Sequence, residues 1–591
     1  MTLAATTALT AFAVIATVLH RSAPWASSKL ARLVSLAMIL LVLVSASWYR
    51  FQDVDHLLFG SDQMVTLMAG IRLHLLPWWN LGAPIRDNFF KSSLMSIHGL
   101  GDSAFFYVVV GIFRLLNIPL TEANLFSASA ALSMGSLVLF MLLMRRLFGI
   151  GPALVVLVLA AWNPPLIRCS PIGYQMTFVV FLQIAALYGY LLHVSKNQWG
   201  WSMVAAGLMV LCAGSELFYF GPVLLVLHWA CRRSSTPGTT VGWLDPKNLL
   251  VWSGYASMLL VNLLIFLKLP PRLDLTLFGH LYLKPSISQS WAPLYSVRTF
   301  LAGFDSLIPL SVEGTYLIVG LSLAAILCSS LRRQPFAVFV AVSCFFVAGL
   351  TYLMHLTHLF NLMHLLVPSL MVVGLAGSHV MHAVASRWLR PEHSPAGLAG
   401  LACALVLVPL VGPWTGKITR VDEIPPAYRC MKAVGYAVRQ LGPPKARVMI
   451  LSDHAFMPLT MEYYLGRSAT FAEDGSTSLY TMPDHSERYY PATLAARLGI
   501  GRCDFYVDFV QESFLNKPAA LTDLASLNLH EVAQVYDEGG LCASMYSPHK
   551  TPMMRLTIDE GNAGFDRTYA YWDTLFHDAY VGTFWYFGVN Y

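Results

Sequence analysis

One stretch decides the fold of this chain: residues 30–62, LARLVSLAMILLVLVSASWYRFQDVDHLLFGSD. Residues 30–49 are apolar and long enough to cross about 30 Å of hydrocarbon, and three carboxylates, Asp53, Asp55 and Asp62, follow closely. Only twelve Asp and Glu residues occur in the first 419 positions, and the other twenty lie after residue 420. Because a charged carboxylate is costly in hydrocarbon, a cluster at the mouth of a membrane helix is the first place to expect chemistry.

The composition of the whole chain is that of a multi-span membrane protein. Of its 591 residues 56% are hydrophobic and 12% charged, and the mean hydropathy is +0.58. Soluble domains carry about 25% charged residues. The net charge of +6 is modest and no basic run is present, so the sequence gives no reason to expect a nucleic-acid partner.

Apolar runs recur down to residue 413, and we predict a polytopic α-helical membrane protein with about 11–13 transmembrane helices. The first run lacks a basic segment before it, so we interpret it as a retained span and not as a signal peptide. The runs lie at about 3–20, 30–49, 104–120, 123–144, 152–163, 174–194, 201–214, 217–231, 249–267, 314–331, 335–354, 364–384 and 396–413.

Lys and Arg in the short loops set the predicted orientation, because cytoplasmic loops are enriched in them. If these Lys and Arg residues lie in the cytoplasm, the predicted spans of domain 1–419 cross the membrane in regular alternation. Phe105–Pro119 is the exception, and we predict it to be re-entrant or interfacial. The pieces that then face the exoplasm are the loops 50–103, 164–173 and 268–313 and everything after 414. Any active site should therefore face outward.

The polar C-terminal part has a different pattern. Short strands alternate with short helices over 420–550, which predicts a small exoplasmic α/β domain. Residues 551–591 are rich in Tyr, Trp and Phe, and we expect this aromatic tail to pack against the membrane surface or a protein partner. In an oxidising compartment Cys503 and Cys542 are candidates for a disulfide, and the sequence leaves both states open.

Four segments carry a resemblance to a known family. The chain resembles the GT-C superfamily of membrane glycosyltransferases over most of residues 30–545, in the branch of protein O-mannosyltransferases and the aminoarabinose transferase of lipid A. Three segments depart from the family pattern: Gln63 stands where Glu is usual, both prolines after Lys91 are lost, and the late span lacks its Arg. The matching segments are Ser61–Leu73, Lys91–Met95, Leu142–Gly149 and Asn361–Pro368.

The resemblance implies transfer of a sugar from a polyprenyl-phosphate donor, with an exoplasmic carboxylate as base. We assign Asp62 to this role, ahead of Asp55 and Asp53, because it matches the loop motif. The alternative is that Asp62 only caps a surface helix from Gln63 to Leu76. Asp53-Val-Asp55 could also hold a divalent metal, but the loop 164–173 offers no second carboxylate, so we favour a reaction that requires no cofactor.

A lipid phosphate needs cationic partners on the outward side. Arginine or lysine there could instead only extend to the membrane interface. Lys91 and Arg168 are the preferred candidates, and the full set is Lys91, Arg168, Arg272, Lys284 and Arg298.

Other candidate side chains are Glu216 and His56. Glu216 lies between two half-length apolar runs, either as an acid at membrane depth or at the outer turn of a hairpin. His355, His358 and His364 lack a paired acid, and we interpret them as interface histidines.

The sequence leaves two main functions open. The first is a lipid-linked sugar transferase of the bacterial inner (plasma) membrane, with a polyprenyl-phosphate-linked sugar and membrane lipids as partners. The second is a GT-C-fold scaffold subunit that no longer catalyses and binds other protein subunits through residues 551–591, which the three departures favour. A transporter is a weaker alternative because no internal repeat is evident.

Overall fold

The chain forms two compact units in a computed structural model. One contains most of the apolar helices, and the other contains the C-terminal sheet together with Tyr107–Leu125. The residues that the structure describes are 29–51, 99–118, 122–163, 166–167, 170, 175–215, 217–235, 240–268, 334–353, 364–376, 426–443, 446, 448–450, 469–473, 489–491, 503–509, 528–538 and 540–569.

The described helices before residue 420 coincide closely with predicted apolar runs. They are α1 (Lys29–Phe51), α2 (Gly99–Leu116), α3 (Glu122–Phe148), α4 (Ile150–Ala161), α5 (Gln175–Lys196), α6 (Trp199–Ala213), α7 (Gly221–Ser234), α8 (Pro246–Lys268), α9 (Pro335–Leu353) and α10 (His364–Ala376). A 3₁₀ helix, Phe218–Phe220, precedes α7. The runs predicted at 3–20, 314–331 and 396–413 lie outside the described residues.

Two described helical segments are long and apolar enough to cross a bilayer, Glu122–Phe148 and Thr177–Lys196. Shorter apolar helices accompany them, among them Ile150–Ala161, Trp199–Ala213 and His364–Ala376. The predicted total of 11–13 spans and the interfacial placement of Phe105–Pro119 stay predictions.

Contacts between helix ends show how the apolar helices alternate. At one side, Arg146 at the end of α3 donates a 2.9 Å hydrogen bond to Ser195 at the end of α5, and the amide of Val241, between α7 and α8, donates to the carbonyl of Val194 at 3.1 Å. These ends all carry the Lys and Arg clusters assigned to the cytoplasm. The contacts between ends on one side are those that an up-and-down arrangement requires.

The C-terminal unit is built on a seven-stranded sheet in the order β3-β2-β1-β4-β6-β5-β7. β1–β4 are parallel, β6 is antiparallel to both β4 and β5, and β7 is parallel to β5. The strands are β1 (Val448–Ile450), β2 (Ala469–Glu473), β3 (Tyr489–Pro491), β4 (Phe505–Phe509), β5 (His530–Asp537), β6 (Gly540–Ser547) and β7 (Met554–Thr557). β1 to β6 lie in the region 420–550, where the sequence predicts short strands alternating with short helices, and β7 lies beyond it.

Two helices of this unit pack against each other: α11 (Pro426–Leu441) and α12 (Ile558–Tyr569). A Cβ on Gly561 would collide with the backbone of Ala433, and one on Gly564 would collide with the ring of Tyr436. The two glycines therefore allow the close approach of the helices. The segment predicted as an aromatic tail from residue 551 thus includes a strand and a helix in its described part.

The pairing of Cys503 with Cys542 is wrong for this fold. In the β4–β6 register Phe509 lies opposite Ala543, so Cys542 lies next to that end of β4. Cys503 precedes the other end of β4. At about 3.3 Å per residue the separation is roughly 20 Å, whereas a disulfide needs Cα atoms within about 7 Å.

Candidate functional site

The predicted site residues lie outside the described residues and stay predictions. They are Asp53, Asp55, His56, Asp62, Lys91, Arg168, Glu216, Arg272, Lys284 and Arg298. What the structure describes is the protein around them: the helix that leads into the acidic loop, the helix ends near it, and the buried residues on either side of Glu216.

Arg50, at the end of α1, is fully buried three positions before Asp53. Its guanidinium donates to the carbonyl oxygens of Ala161 at 2.7 Å and Ala160 at 3.1 Å, and Nε donates to Ser133 Oγ at 3.0 Å. Ala160 and Ala161 end α4, and a helix C-terminus carries partial negative charge. Arg50 therefore fixes the end of α1 to the end of α4.

The charge of Arg50 is neutralised only by dipoles in the part of the chain that the structure describes, since no carboxylate there forms an ion pair with it. Burying an unpaired charge is costly unless polar groups surround it. Four neutral oxygen partners, on Ala46, Ser133, Ala160 and Ala161, reduce that cost, and a nearby anion would reduce it further.

A second buried polar group connects α5, α10 and the 3₁₀ helix. Tyr219 Oη and His364 Nδ1 are hydrogen-bonded at 2.8 Å, and Gln183 Nε2 donates to the carbonyl of His364 at 3.2 Å. His364 is only 4% exposed, so its side chain packs against neighbouring helices. Its interpretation as an interface histidine stays a prediction.

The connection between α6 and α7 contains the predicted Glu216. Ser215 and Leu217, on either side of it, are both fully buried. The hydroxyl of Ser215 accepts a hydrogen bond from the amide of Leu217 at 3.2 Å. The chain therefore turns inside the protein between the two half-length helices, two positions before the Tyr219–His364 group begins.

A small cavity lies among residues of α3, α4, α5 and α10. It offers about 10 Å³ to the centre of a water molecule, which is room for about one water. Its polar lining comes from the hydroxyls of Ser133, Ser136 and Thr177. It is too small for a sugar phosphate, so it is no substrate site.

A polar network lies at the opposite ends of α5–α8. Tyr190 Oη is hydrogen-bonded to His228 Nδ1 at 3.0 Å and accepts from Trp252 Nε1 at 3.1 Å. His193 Nδ1 is hydrogen-bonded to Ser202 Oγ at 2.9 Å, and the His228 ring stacks on Trp243. These hydrogen bonds and ring contacts connect four helices, which is a structural role.

Sequence reasoning missed Arg50, Gln183 and this histidine network. Arg50 had one usable signal, since an arginine in the last turn of an apolar helix needs buried partners or an anion. Among the described residues no group of three or more His, Cys, Asp or Glu side chains could hold a metal ion.

Comparison with known proteins gives the fold. No protein-family model and no curated protein matches the chain. It is similar to the crystal structures of ArnT from Cupriavidus metallidurans, bound to undecaprenyl phosphate (TM-score 0.53, 13% identity) and in the apo state (TM-score 0.52, 12% identity). Each alignment covers 87% of this chain and 98% of the ArnT chain.

ArnT is an aminoarabinose transferase of the GT-C superfamily. This chain has a GT-C fold. The archaeal oligosaccharyltransferase AglB from Archaeoglobus fulgidus, in complex with an inhibitory peptide and a dolichol-phosphate, also matches, at a TM-score of 0.44 and 13% identity over 88% of this chain and 75% of AglB. The resemblance drawn from four short segments is confirmed at the level of the GT-C fold.

Proposed function

We propose that the chain is a membrane glycosyltransferase that moves a sugar from a polyprenyl-phosphate donor to an acceptor on the exoplasmic side. The observation that carries the proposal is the GT-C fold, which the chain shares with an ArnT crystallised with undecaprenyl phosphate over almost all of the ArnT length.

The reaction would be a direct displacement at the anomeric carbon. The acceptor hydroxyl has a pKa far above 7, so a base must take its proton as oxygen attacks, and we assign Asp62 to that step. The bond between the anomeric carbon and the phosphate oxygen breaks, and the lipid phosphate leaves with the electron pair. Lys91 and Arg168 are the proposed cations that stabilise this anion.

An ion pair supports exoplasmic placement of the C-terminal domain. Lys432 on α11 binds Glu122 at the first residue of α3, with Nζ and Oε2 separated by 3.3 Å. Arg145 and Arg146 end the same helix, and the excess of Lys and Arg in cytoplasmic loops puts that end inside. The Glu122 end of α3, which belongs to the C-terminal unit, would then face the exoplasm of a bacterial inner membrane.

Arg50 would position the catalytic loop. It holds the end of α1 against the end of α4 through three hydrogen-bond partners on two other helices. Asp53 and Asp55 follow it within five positions. A fixed starting point reduces the freedom of the loop that carries the base, and pre-organised catalytic groups lower the entropy cost of reaching the transition state.

The variant Asp62→Asn tests the proposal, because Asn caps a helix about as well as Asp but cannot accept the proton. Membranes that contain the full chain are incubated with radiolabelled polyprenyl-phosphate sugars of several kinds, and label transferred to any acceptor is counted. We expect Asp62→Asn to lose transfer by ~10²-fold or more with unchanged thermal stability.

The control variant is Asp245→Asn, because the Asp245 carboxylate accepts from the amide of Lys247 at 2.9 Å at the start of α8, and asparagine can accept in the same way. It should keep wild-type transfer. A transfer rate that Asp62→Asn leaves unchanged rules out Asp62 as the base.

The scaffold function is the second candidate, favoured by Gln63 and the missing prolines after Lys91. It makes a different prediction for the same membranes. No donor would be consumed by the wild-type chain, and affinity purification in mild detergent would recover other subunits that are lost when residues 570–591 are removed. Label transfer that depends on Asp62 rules the scaffold out.

A further inference from the structure

The outer face of α7 changes from apolar to cationic along its length. The opposite face is buried, and the helix packs against α5 and α9. Leu225 and Trp229 on the outer face are 42% and 44% exposed, and Arg232 and Arg233 in the last turn are exposed as well. Residues three and four positions apart lie on one side of a helix, so these four side chains form one row, the α7 stripe.

The order of side chains along the α7 stripe matches the parts of a phospholipid. Because an α-helix rises 1.5 Å per residue, Trp229 lies ~6 Å beyond Leu225 and Arg233 lies ~6 Å beyond Trp229. Leucine suits acyl chains, tryptophan is favoured at the membrane interface, and arginine forms bidentate hydrogen bonds with phosphate oxygens. The stripe thus has an apolar, an interfacial and a phosphate-binding level.

The connection between α7 and α8 lies beside the basic end of the stripe. Trp243 is 39% exposed, and its ring stacks on that of His228 on α7 with the centroids 3.9 Å apart. Leu244, the next residue, is 85% exposed. Entry of these two side chains into the membrane interface removes apolar surface from water. We therefore expect this end of α7 to lie at the level of the lipid headgroups.

The surrounding helix ends are strongly basic. Arg146 donates to Ser195, and Lys247 donates to the side-chain oxygen of Asn197 at 2.6 Å, so the ends of α3, α5 and α8 are held together. Asp245 is the one carboxylate among the described residues at this end, and it accepts a hydrogen bond from the amide of Lys247. The cations are Arg145, Arg146, Lys196, Arg232, Arg233 and Lys247.

The dipole of α7 opposes an anion at this end, but the side chains outweigh it. A helix C-terminus carries about half a negative charge, whereas Arg232 and Arg233 carry two full positive charges. Neither arginine forms an ion pair with a carboxylate in the part of the chain that the structure describes. Both guanidinium groups can therefore bind a phosphate.

We propose that the α7 stripe binds one anionic phospholipid. Its phosphate contacts Arg232 and Arg233, its glycerol backbone lies against Trp229, and an acyl chain packs on Leu225. The ligand class is a phospholipid whose phosphate is not compensated by an ammonium group, such as phosphatidylglycerol. The orientation put forward above places the site in the cytoplasmic leaflet, apart from the predicted donor residues, so the proposal goes beyond sugar transfer.

Native mass spectrometry of the full chain tests this directly. The protein is purified in a neutral detergent, freed of lipid, and mixed with equal concentrations of phosphatidylglycerol and phosphatidylcholine that have identical acyl chains. The readout is the ratio of the two lipids in the complex with one bound lipid. Since each Arg near an anionic headgroup adds about a five-fold preference, we expect the wild type to prefer phosphatidylglycerol by ~10-fold or more.

The double variant Arg232→Gln with Arg233→Gln should bind the two lipids equally. The double variant Arg232→Lys with Arg233→Lys should keep most of the preference, because the charge is retained. The matched control is Arg429→Gln with Arg567→Gln, which removes the same charge from exposed side chains of the C-terminal unit and should keep the wild-type ratio.

Equal binding of both lipids by the wild type, or a preference that the glutamine variant retains, would overturn the proposal. Undecaprenyl phosphate is added at the same concentration as a competitor. If it displaces phosphatidylglycerol, the stripe belongs to the sugar donor and the proposal is again wrong.

The lipid ratio is measured without any sugar acceptor, so it is independent of transfer. An inactive chain that prefers phosphatidylglycerol through Arg232 and Arg233 would refute the transferase and support the lipid site. An active chain without that preference would refute the lipid site alone.

Discussion

Glu122 and Lys432 are 310 positions apart in the chain, yet they form an ion pair whose side chains are each 5% exposed. Lys432 also lies over the ring of Phe565, with Nζ 5.3 Å from the ring centroid. Both residues belong to the C-terminal unit, and the pair connects the first turn of α3 to α11 within it. Burial decides its energetic role, because removing one partner takes away the charge that compensates the other in the interior.

Lys432→Met should destabilise the protein by about 3–5 kcal/mol, because the buried carboxylate of Glu122 loses the ammonium group that compensates its charge. Thermal unfolding in detergent checks this as a fall in Tm. The double variant Glu122→Gln with Lys432→Met should regain part of the loss. The control is Arg429→Ala on the same helix, which breaks an exposed 2.8 Å pair with Asp559 and should change Tm little. Equal falls in Tm for Lys432→Met and Arg429→Ala would contradict the energetic role assigned to the buried ion pair.

Arg50→Lys should destabilise the protein even though the charge is kept. A lysine ammonium cannot reproduce the planar fork that reaches Ser133, Ala160 and Ala161 together. We expect a loss of about 2–4 kcal/mol, measured as a fall in Tm. Ser45→Ala is the control on α1, since Ser45 bonds only to the carbonyl of Val42 in its own helix. A lysine variant as stable as wild type would show that the fork is unimportant.

Gly561→Ala should force α11 and α12 apart. The new Cβ would lie 2.7 Å from the Cα of Ala433, and backbone cannot yield as a flexible side chain can. Overpacking of this kind costs about 1–3 kcal/mol. Gly207→Ala in α6 is the contrast, because nothing lies within 4 Å of its added Cβ and alanine favours a helix. The first variant should lower Tm and the second should not.

Glu560 should make the start of α12 sensitive to acid. Thr557 and Glu560 form a capping box: the Thr557 amide donates to Glu560 Oε2 at 3.0 Å, and the Glu560 amide donates to Thr557 Oγ1 at 3.2 Å. The hydrogen bond from the Thr557 amide lowers the pKa of Glu560 below 4.5. Its stabilisation is therefore complete above pH 4.5 and is lost as the pH falls through the lowered value.

The variant Glu560→Gln isolates this effect, because glutamine accepts the same hydrogen bond without titrating. The Tm difference between wild type and Glu560→Gln should be constant above about pH 5. As the pH falls below 4.5, the Tm of the wild type should fall relative to that of Glu560→Gln. A difference that does not change with pH would contradict the role of the carboxylate.

The apolar helices could be predicted from the sequence because hydropathy acts locally: α3 and α5 coincide with the runs at 123–144 and 174–194. The strands of the C-terminal sheet followed for the same reason, since alternation and β-branched residues are local signals. The capping box at Thr557 and Glu560 was a local signal for α12 that was overlooked among the aromatic residues that follow residue 551.

Features that depend on distant residues could not be predicted. The partners of Arg50 on other helices lie 83 to 111 positions away in the chain, and no local sequence pattern indicates them. Cys503 and Cys542 were candidates for a disulfide, with both states left open, because both lie in the polar part of the chain; the register of β4 and β6 separates them. Glycine is unfavourable inside a helix taken alone. Only the packing of Gly561 against Ala433 and of Gly564 against Tyr436 shows why α12 contains these two glycines.

The anchorage of Arg50 also has a consequence for how the protein is made. The carbonyls that receive its guanidinium belong to residues 160 and 161, so they do not yet exist when the first of these helices leaves the ribosome. Until more than a hundred further residues have been synthesised, the arginine must stay near water or lipid phosphates. We therefore expect α1 to reach its final depth in the membrane only after α4 has been synthesised, so that the insertion of the two helices is coupled.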